Sequence, residues 1–187
     1  MGLYSSQHSE TDSDMLSLSE NFTHQSLIDK LQTQLIKDAK DFCLIIENVQ
    51  YYQNSEWLLD MSRILSRIQM AMAHLDSPQQ NTAYTALSEM DNRFELYCTL
   101  KEKLGELDGY WMEFDQRAEI DDQSGSLAGD FSDLYFEFKR GLTQQCDHAE
   151  SNSRAIMLWK IGYLCNWGQN LLDAQRHLYT LKATQRL

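Results

Sequence analysis

The sequence predicts an all-α fold, a compact bundle of about five long amphipathic helices, mostly antiparallel, with negligible sheet. Three observations predict it. Apolar residues recur at steps of three and four through most of the chain, which gathers them on one face of a helix with 3.6 residues per turn. Only one Pro and eight Gly occur in 187 residues, too few breakers for many short strands and tight turns. No run alternates apolar and polar residues between turn signals, and no internal repeat stands out.

Residues 1–25 are rich in Ser, Thr, Asp and Glu without a sustained period, and read as a mobile acidic tail ahead of one domain over residues 26–187. The first helix is expected from Ser26 as N-cap, with Ile28, Leu31, Leu35, Ala39, Phe42, Ile46 and Val49 on its buried face. After Gln53-Asn54-Ser55 a second stripe follows: Leu58, Met61, Leu65, Ile68, Met72 and Leu75. Asp76-Ser77-Pro78 suits the start of a third helix, since Pro is tolerated in the first turn. Its stripe is Ala83, Leu87, Met90, Phe94, Tyr97, Leu100 and Leu104, ending at Gly105. Leu107, Trp111 and Phe114 suggest one or two further turns, and residues 117–129 read as the longest loop. A fourth helix begins near Ser126 or Asp130 and carries Leu127, Phe131, Leu134, Phe138 and Leu142. The last, capped by Asn152 or Ser153, has the longest stripe: Ile156, Trp159, Tyr163, Trp167, Leu171, Ala174, Leu178 and Leu181. Its length marks it as the expected spine.

The net charge of −12 is unevenly spread. Residues 106–133 carry nine acids and one base, and residues 1–25 four acids and no base, while the remainder nearly cancels. Without a basic stripe, nucleic acid is a poor partner. No apolar run approaches the roughly 18 residues of a spanning helix, and the polar N-terminus lacks a secretory pattern. The expected setting is therefore cytoplasmic and away from membrane. Met1-Gly2 through Ser6 fits the myristoylation pattern, but no basic cluster supports it.

Catalytic and cofactor motifs are lacking. A carboxylate-bridged metal centre in a bundle needs Glu-x-x-His pairs, yet Ser5, Asn21, Ala71, Gln145 and Ala174 stand three residues before the five His. Cys43, Cys98, Cys146 and Cys165 form no CxxC pair and read as reduced, mostly buried thiols. Phosphate-binding glycine motifs and a nucleophile elbow are missing. Neither metal nor cofactor is expected, and the reading leans away from an enzyme.

Two constellations remain. Asp130, Asp133 and Glu137 stand at i, i+3 and i+7 and so share one helical face. With Asp121 and Asp122 they form an acidic strip for a cationic partner, the plainer reading being a solvated face. Trp111, Trp159 and Trp167 are large aromatics, the last two on the core stripe. Gly168 within the last helix costs roughly 1 kcal/mol relative to Ala, which implies a close approach by another helix or a ligand. Arg176 is placed to pair with an acid on the fourth helix.

These residues also carry a resemblance. Leu104-Gly105 with the downstream Tyr110-Trp111, Asp130-x-x-Asp133-Leu134-Tyr135, and Trp167-Gly168-Gln169 followed by Leu171 and Arg176 resemble a bacterial family of domains of unknown function, number 5063. The likeness runs from about Ser26 to Leu181 and is strongest over residues 104–181. It implies a compact helical fold in a bacterial cytoplasm and supplies no activity. The family often has His where this chain has Tyr179, so no His chemistry is implied.

The leading expectation is a non-enzymatic interaction protein that uses the acidic surface of residues 106–133 to bind a basic partner, as an inhibitor, immunity or regulatory factor. Asp121, Asp122, Asp130, Asp133 and Glu137 are its binding residues. The alternative is a small-ligand or metal-dependent activity in a pocket between the last two helices, near Tyr135, Trp167, Gly168 and Arg176. A third reading is a homodimer formed through unused apolar stripe on the first or second helix.

Overall fold

The computed structural model describes residues 8–53, 56–75, 90–112, 125–143 and 149–187, with backbone alone at 8–24 and 149–151. Helix α1 spans His8–Glu47, and a 3-10 turn follows at Val49–Tyr51. Then come α2 (Glu56–His74) and α3 (Met90–Leu104). After a 3-10 turn at Gly105–Leu107, two short strands, β1 (Gly109–Tyr110) and β2 (Gly125–Ser126), pair antiparallel. Helix α4 is Leu127–Thr143. A final continuous rod consists of α5 (Ala149–Gly162), a π turn (Tyr163–Trp167) and α6 (Gly168–Ala183).

The expected stripes of α1 and α2 are buried: Leu31, Leu35, Ala39, Phe42, Ile46 and Val49 meet Leu58, Met61, Leu65, Ile68, Met72 and Leu75. An ion pair joins the two helices within this apolar contact. Arg67 donates to Asp38 at 2.8 and 2.7 Å, and Gln34 adds a third hydrogen bond at 3.0 Å. Helix α1 does not begin at Ser26 but at His8. No Gly or Pro interrupts the stretch, and each residue added to a formed helix gains a hydrogen bond without a new nucleation cost.

Two other expectations change. Of the α3 stripe only Leu100 and Leu104 are buried, whereas Met90 and Phe94 are 77% and 68% exposed. Ala83 and Leu87 lie outside the described residues. Gly105 ends α3 at φ +53°, the left-handed conformation in which a glycine carries no steric penalty. Beyond Leu107 the chain extends into β1 rather than making further helical turns, and Phe114 lies outside the described residues.

The spine is α4, not the longer last rod. Helix α4 packs against α1, α3, α5 and α6, because it is apolar around more of its circumference: Leu127, Ala128, Phe131, Leu134, Phe136 and Phe138 are all buried. On its dry side, Phe131 and Phe138 meet Phe42 edge-on at 5.9 and 5.2 Å, and Phe138 meets Trp159 and Trp167 at 6.0 and 5.3 Å. Such edge-to-face pairs add to area burial. Gly141 makes room for the Trp159 indole, which occupies the position a Cβ there would take. That indole donates to the Glu137 carbonyl at 3.0 Å.

Candidate functional site

The acids on α4 differ in exposure: Glu137 is buried, whereas Asp130 and Asp133 are half-buried. Asp133 pairs with Arg93 of α3 and accepts a hydrogen bond from Asn170 of α6 at 2.9 Å. Glu137, one turn on, is 2% exposed; it accepts from Asn166 at 3.4 Å and lies 3.9 Å from the same guanidinium. Arg93 also rests on the Phe136 ring, 5.3 Å from its centroid. The expected solvated strip is therefore a polar seam between α3, α4 and the last rod. Arg93, Asn166 and Asn170 make this possible, since a buried carboxylate is tolerable only with donors around it.

The π turn forms the wall of the seam. It carries Asn166, which donates to Glu137 at 3.4 Å, and the buried Trp167; π turns are frequent at functional sites. Gly168 is explained here: a Cβ would run into the Tyr163 carbonyl of the same rod. The close approach is made by its own helix, not by a second helix or a ligand. A Cβ on Gly162 would sit 2.7 Å from Trp167 Nε1 and 3.2 Å from Glu137 Oε2. Both Trp167 Nε1 and Arg93 Nε are buried donors without an acceptor among the described residues.

At the other end of the seam the two strands form a clasp. Asp108 holds it together: its carboxylate accepts from the Ala128 amide at 2.7 Å and from the Ser126 hydroxyl at 3.0 Å, so it caps α4 from outside the helix. Ser126 Oγ in turn accepts from the Gly129 amide at 3.2 Å. Gly125 is bare because the Tyr110 ring fills its side-chain space. The Tyr110 hydroxyl donates to Asp130 Oδ2 at 2.6 Å, and its ring stacks on His177 at 4.8 Å. His177 Nε2 donates to the Leu107 carbonyl at 2.8 Å. Burial lowers the His177 pKa and so favours the neutral ring. Arg176 does not reach an acid on α4; it pairs with Asp173 of its own helix at 3.6 Å, donates to the Trp111 carbonyl at 3.3 Å and lies over the Tyr110 ring.

Burial also pushes the Asp130 carboxyl up to about 7; the Asp173, Asp133 and Asp108 charges add to the rise, and the Tyr110 hydrogen bond partly offsets it. The Tyr110 phenol is raised as well, by burial first and then by Asp130.

The residues expected to line one pocket are dispersed. Trp167 is in the core, Gly168 directly after the π turn and Arg176 against the clasp, whereas Tyr135 faces α1 and donates to Glu47 at 2.9 Å. Tyr135 lines a groove of about 680 Å³ between α1, α3 and α4, with Ile46, Leu96 and Phe136 as its apolar lining. Lys139 bridges to Glu47 at its edge. Although burial opposes it, hydrogen bonds from Lys139 and Tyr135 hold the Glu47 carboxyl below the usual range. Asp121 and Asp122 lie outside the described residues. Among the described residues, no group of three or more His, Cys, Asp or Glu side chains could hold a metal ion, and no helix is long and apolar enough to cross a membrane.

The sequence matches the family described as a domain of unknown function (DUF5063) over residues 26–184, most of the chain. This chain belongs to the DUF5063 family. In this DUF5063 member Gly105 and Tyr110-Trp111 lie at the clasp end, Asp130 and Asp133 on α4, and Trp167-Gly168 at the π turn. No curated protein matches the DUF5063 chain. The fold is similar to the crystal structure of protein BF1032 from Bacteroides fragilis, with a TM-score of 0.64, 21% identity, and coverage of 82% of this chain and 93% of that one.

Sequence reasoning quoted Tyr110 only within the family resemblance and missed Arg93, Asp108, Asn166 and Asn170. Only the last two left a trace, an Asn pair four residues apart and hence on one helical face.

Proposed function

We propose that this DUF5063 chain is a non-enzymatic, cytoplasmic interaction module that docks a basic surface of a protein partner through the acidic stretch of residues 106–133, acting as an inhibitor, immunity or regulatory factor. One observation carries the reading. The stretch with nine acids and one base is pinned on both sides of residues 111–124 by the β1–β2 pair, the Asp108 cap and the Tyr110–Asp130 contact. Binding segments held at their ends by a rigid scaffold lose less entropy on docking.

Within that stretch the roles divide. Asp108 and Asp130 hold the clasp, and Glu137 just beyond it holds the seam, so docking falls to Asp121, Asp122, exposed Glu106 and the accessible edge of Asp133, whose side chain is 41% exposed. Binding of this kind weakens as salt screens it. The test is to capture partners from the native host and measure the affinity of each against ionic strength. A steep loss with salt is expected, together with a drop of about tenfold or more when Asp121→Lys and Asp122→Lys are combined. A captured partner whose affinity ignores both salt and charge reversal would overturn the reading.

A further inference from the structure

We infer that this chain pairs with a second copy of itself along the outer face of α1, the two helices running antiparallel so that the acidic N-terminal part of each lies on the basic C-terminal half of the other.

Helix α1 is longer than its contact with α2 requires. Arg67 pairs with Asp38, and from that register on two antiparallel helices the last residue of α2, His74, stands opposite Leu31. The helix nevertheless reaches back to His8, about 35 Å beyond Leu31 at the helical rise.

Charge is segregated along this length. Residues 8–24 hold Glu10, Asp12, Asp14 and Glu20 and no Lys or Arg. Between residues 29 and 44 the exposed charged residues are Lys30, Lys37 and Lys40 against Asp29 alone; Asp38 is buried with Arg67, and Asp41 is half-buried. One face carries the pattern. Met15, Leu18 and Phe22 stand at i, i+3 and i+7, and further steps of three and four lead from Phe22 through Asp29 to Lys37, Lys40 and Leu44. The last four are exposed, Leu44 by 57%. Because the inner stripes of α1 and α2 are used in the core, a homodimer through α1 has this outer face to use instead.

A single chain cannot bring the two halves together. Met15 and Leu44 lie on one helix, about 43 Å apart at the helical rise, so the acids cannot fold back onto the lysines. Two copies in parallel would set acid against acid. Antiparallel pairing sets acid against lysine, and a two-fold axis makes the two halves of the contact identical. With Met15 of one copy opposite Leu44 of the other, Asp29 meets Lys30 of the second copy at the axis, and the reciprocal pair forms beside it. Phe22 falls level with Lys37, whose aliphatic stem can cover an apolar ring, and Glu20 falls one position from Lys40. The contact uses none of residues 106–133, so it and the partner-binding reading fail separately.

Sedimentation equilibrium of the whole chain is expected to show a monomer–dimer equilibrium whose dissociation constant rises about tenfold from roughly 50 to 500 mM salt. Two charge-reversed chains then test the orientation: one with Asp14→Lys and Glu20→Lys, the other with Lys37→Glu and Lys40→Glu. Each should remain a monomer at concentrations where the unsubstituted chain is a dimer, since like charges now meet across the contact. Mixed, they should form a one-to-one dimer, which neither could do unfolded. In an otherwise unsubstituted chain, a photo-crosslinking residue in place of Met15 should join to the peptide that holds Leu44 of an isotope-labelled second copy. A monomer at every concentration, a dimer indifferent to salt, or a crosslink from position 15 to the N-terminal segment of the other copy would each overturn the pairing. So would two folded variants, with the helical circular dichroism of the parent, that fail to pair on mixing.

Discussion

The two sides of α4 bury their residues by opposite means. On one, Phe131, Leu134 and Phe138 sit in a dry aromatic contact with Phe42, Trp159 and Trp167. On the other, Glu137 is buried and Asp133 half-buried between α3 and the last rod, while Asp130 meets Tyr110 of β1, each accepting from donors outside the helix. The dry side is held by packing, which tolerates approximate partners; the wet side depends on individual hydrogen bonds. A helix with a polar face is therefore not always a surface helix. Whether that face meets water depends on whether neighbouring helices bring Arg and Asn to it.

The contrast predicts different responses to substitution. Phe138→Ala, on the dry side, should cost about 3–5 kcal/mol in chemical denaturation, since three aromatic rings lose a neighbour. On the wet side, Glu137→Ala should cost about 2–4 kcal/mol, because Arg93 and Asn166 lose an acceptor in a buried place. Glu137→Gln, of the same size and still able to accept a hydrogen bond, should cost clearly less. Equal losses for Ala and Gln would mean that the ionised carboxylate, not the acceptor, holds the seam, and equal small losses would erase the distinction between the two sides.

Gly168→Ala tests the wall of the seam and gives the smallest effect. In an ordinary helix interior the change stabilises by about 1 kcal/mol. Here the new Cβ meets the Tyr163 carbonyl, so a destabilisation of about 1–3 kcal/mol is expected instead. A gain in melting temperature would show that the π turn relaxes to an α turn at no cost.

The dry side was legible in the sequence because the stripe of apolar residues is itself the contact: every residue from Leu58 to Leu75 on the α2 stripe is buried as its spacing predicts. The wet side was not. The i, i+3, i+7 spacing of Asp130, Asp133 and Glu137 places them on one face but says nothing of what covers it. Arg93 lies 40 residues from its partner Asp133, and long-range polar pairing leaves no periodic signal. Met90 and Phe94 failed in the opposite sense, since helical spacing identifies an apolar face without requiring a neighbour to bury it. The clasp escaped because two-residue strands are too short to show alternation.

The π turn was nearly legible. Trp159, Tyr163, Trp167 and Leu171 follow one another at three successive steps of four, whereas three turns of an α-helix take about 10.8 residues. The surplus of about one residue is what the wider turn absorbs. It also sets the phase of everything downstream. Each residue advances a helix by about 100°, so the same residues wound as an unbroken α-helix would turn α6 through about that angle relative to α5. Asn170, Asp173 and His177 would then point along a different azimuth, and the clasp and the seam would lose their α6 partners together. The wide turn thus acts as an indexing step: it keeps Trp167 and Leu171 in phase with Trp159 on the core side while α6 presents Asn170 to Asp133 of α4.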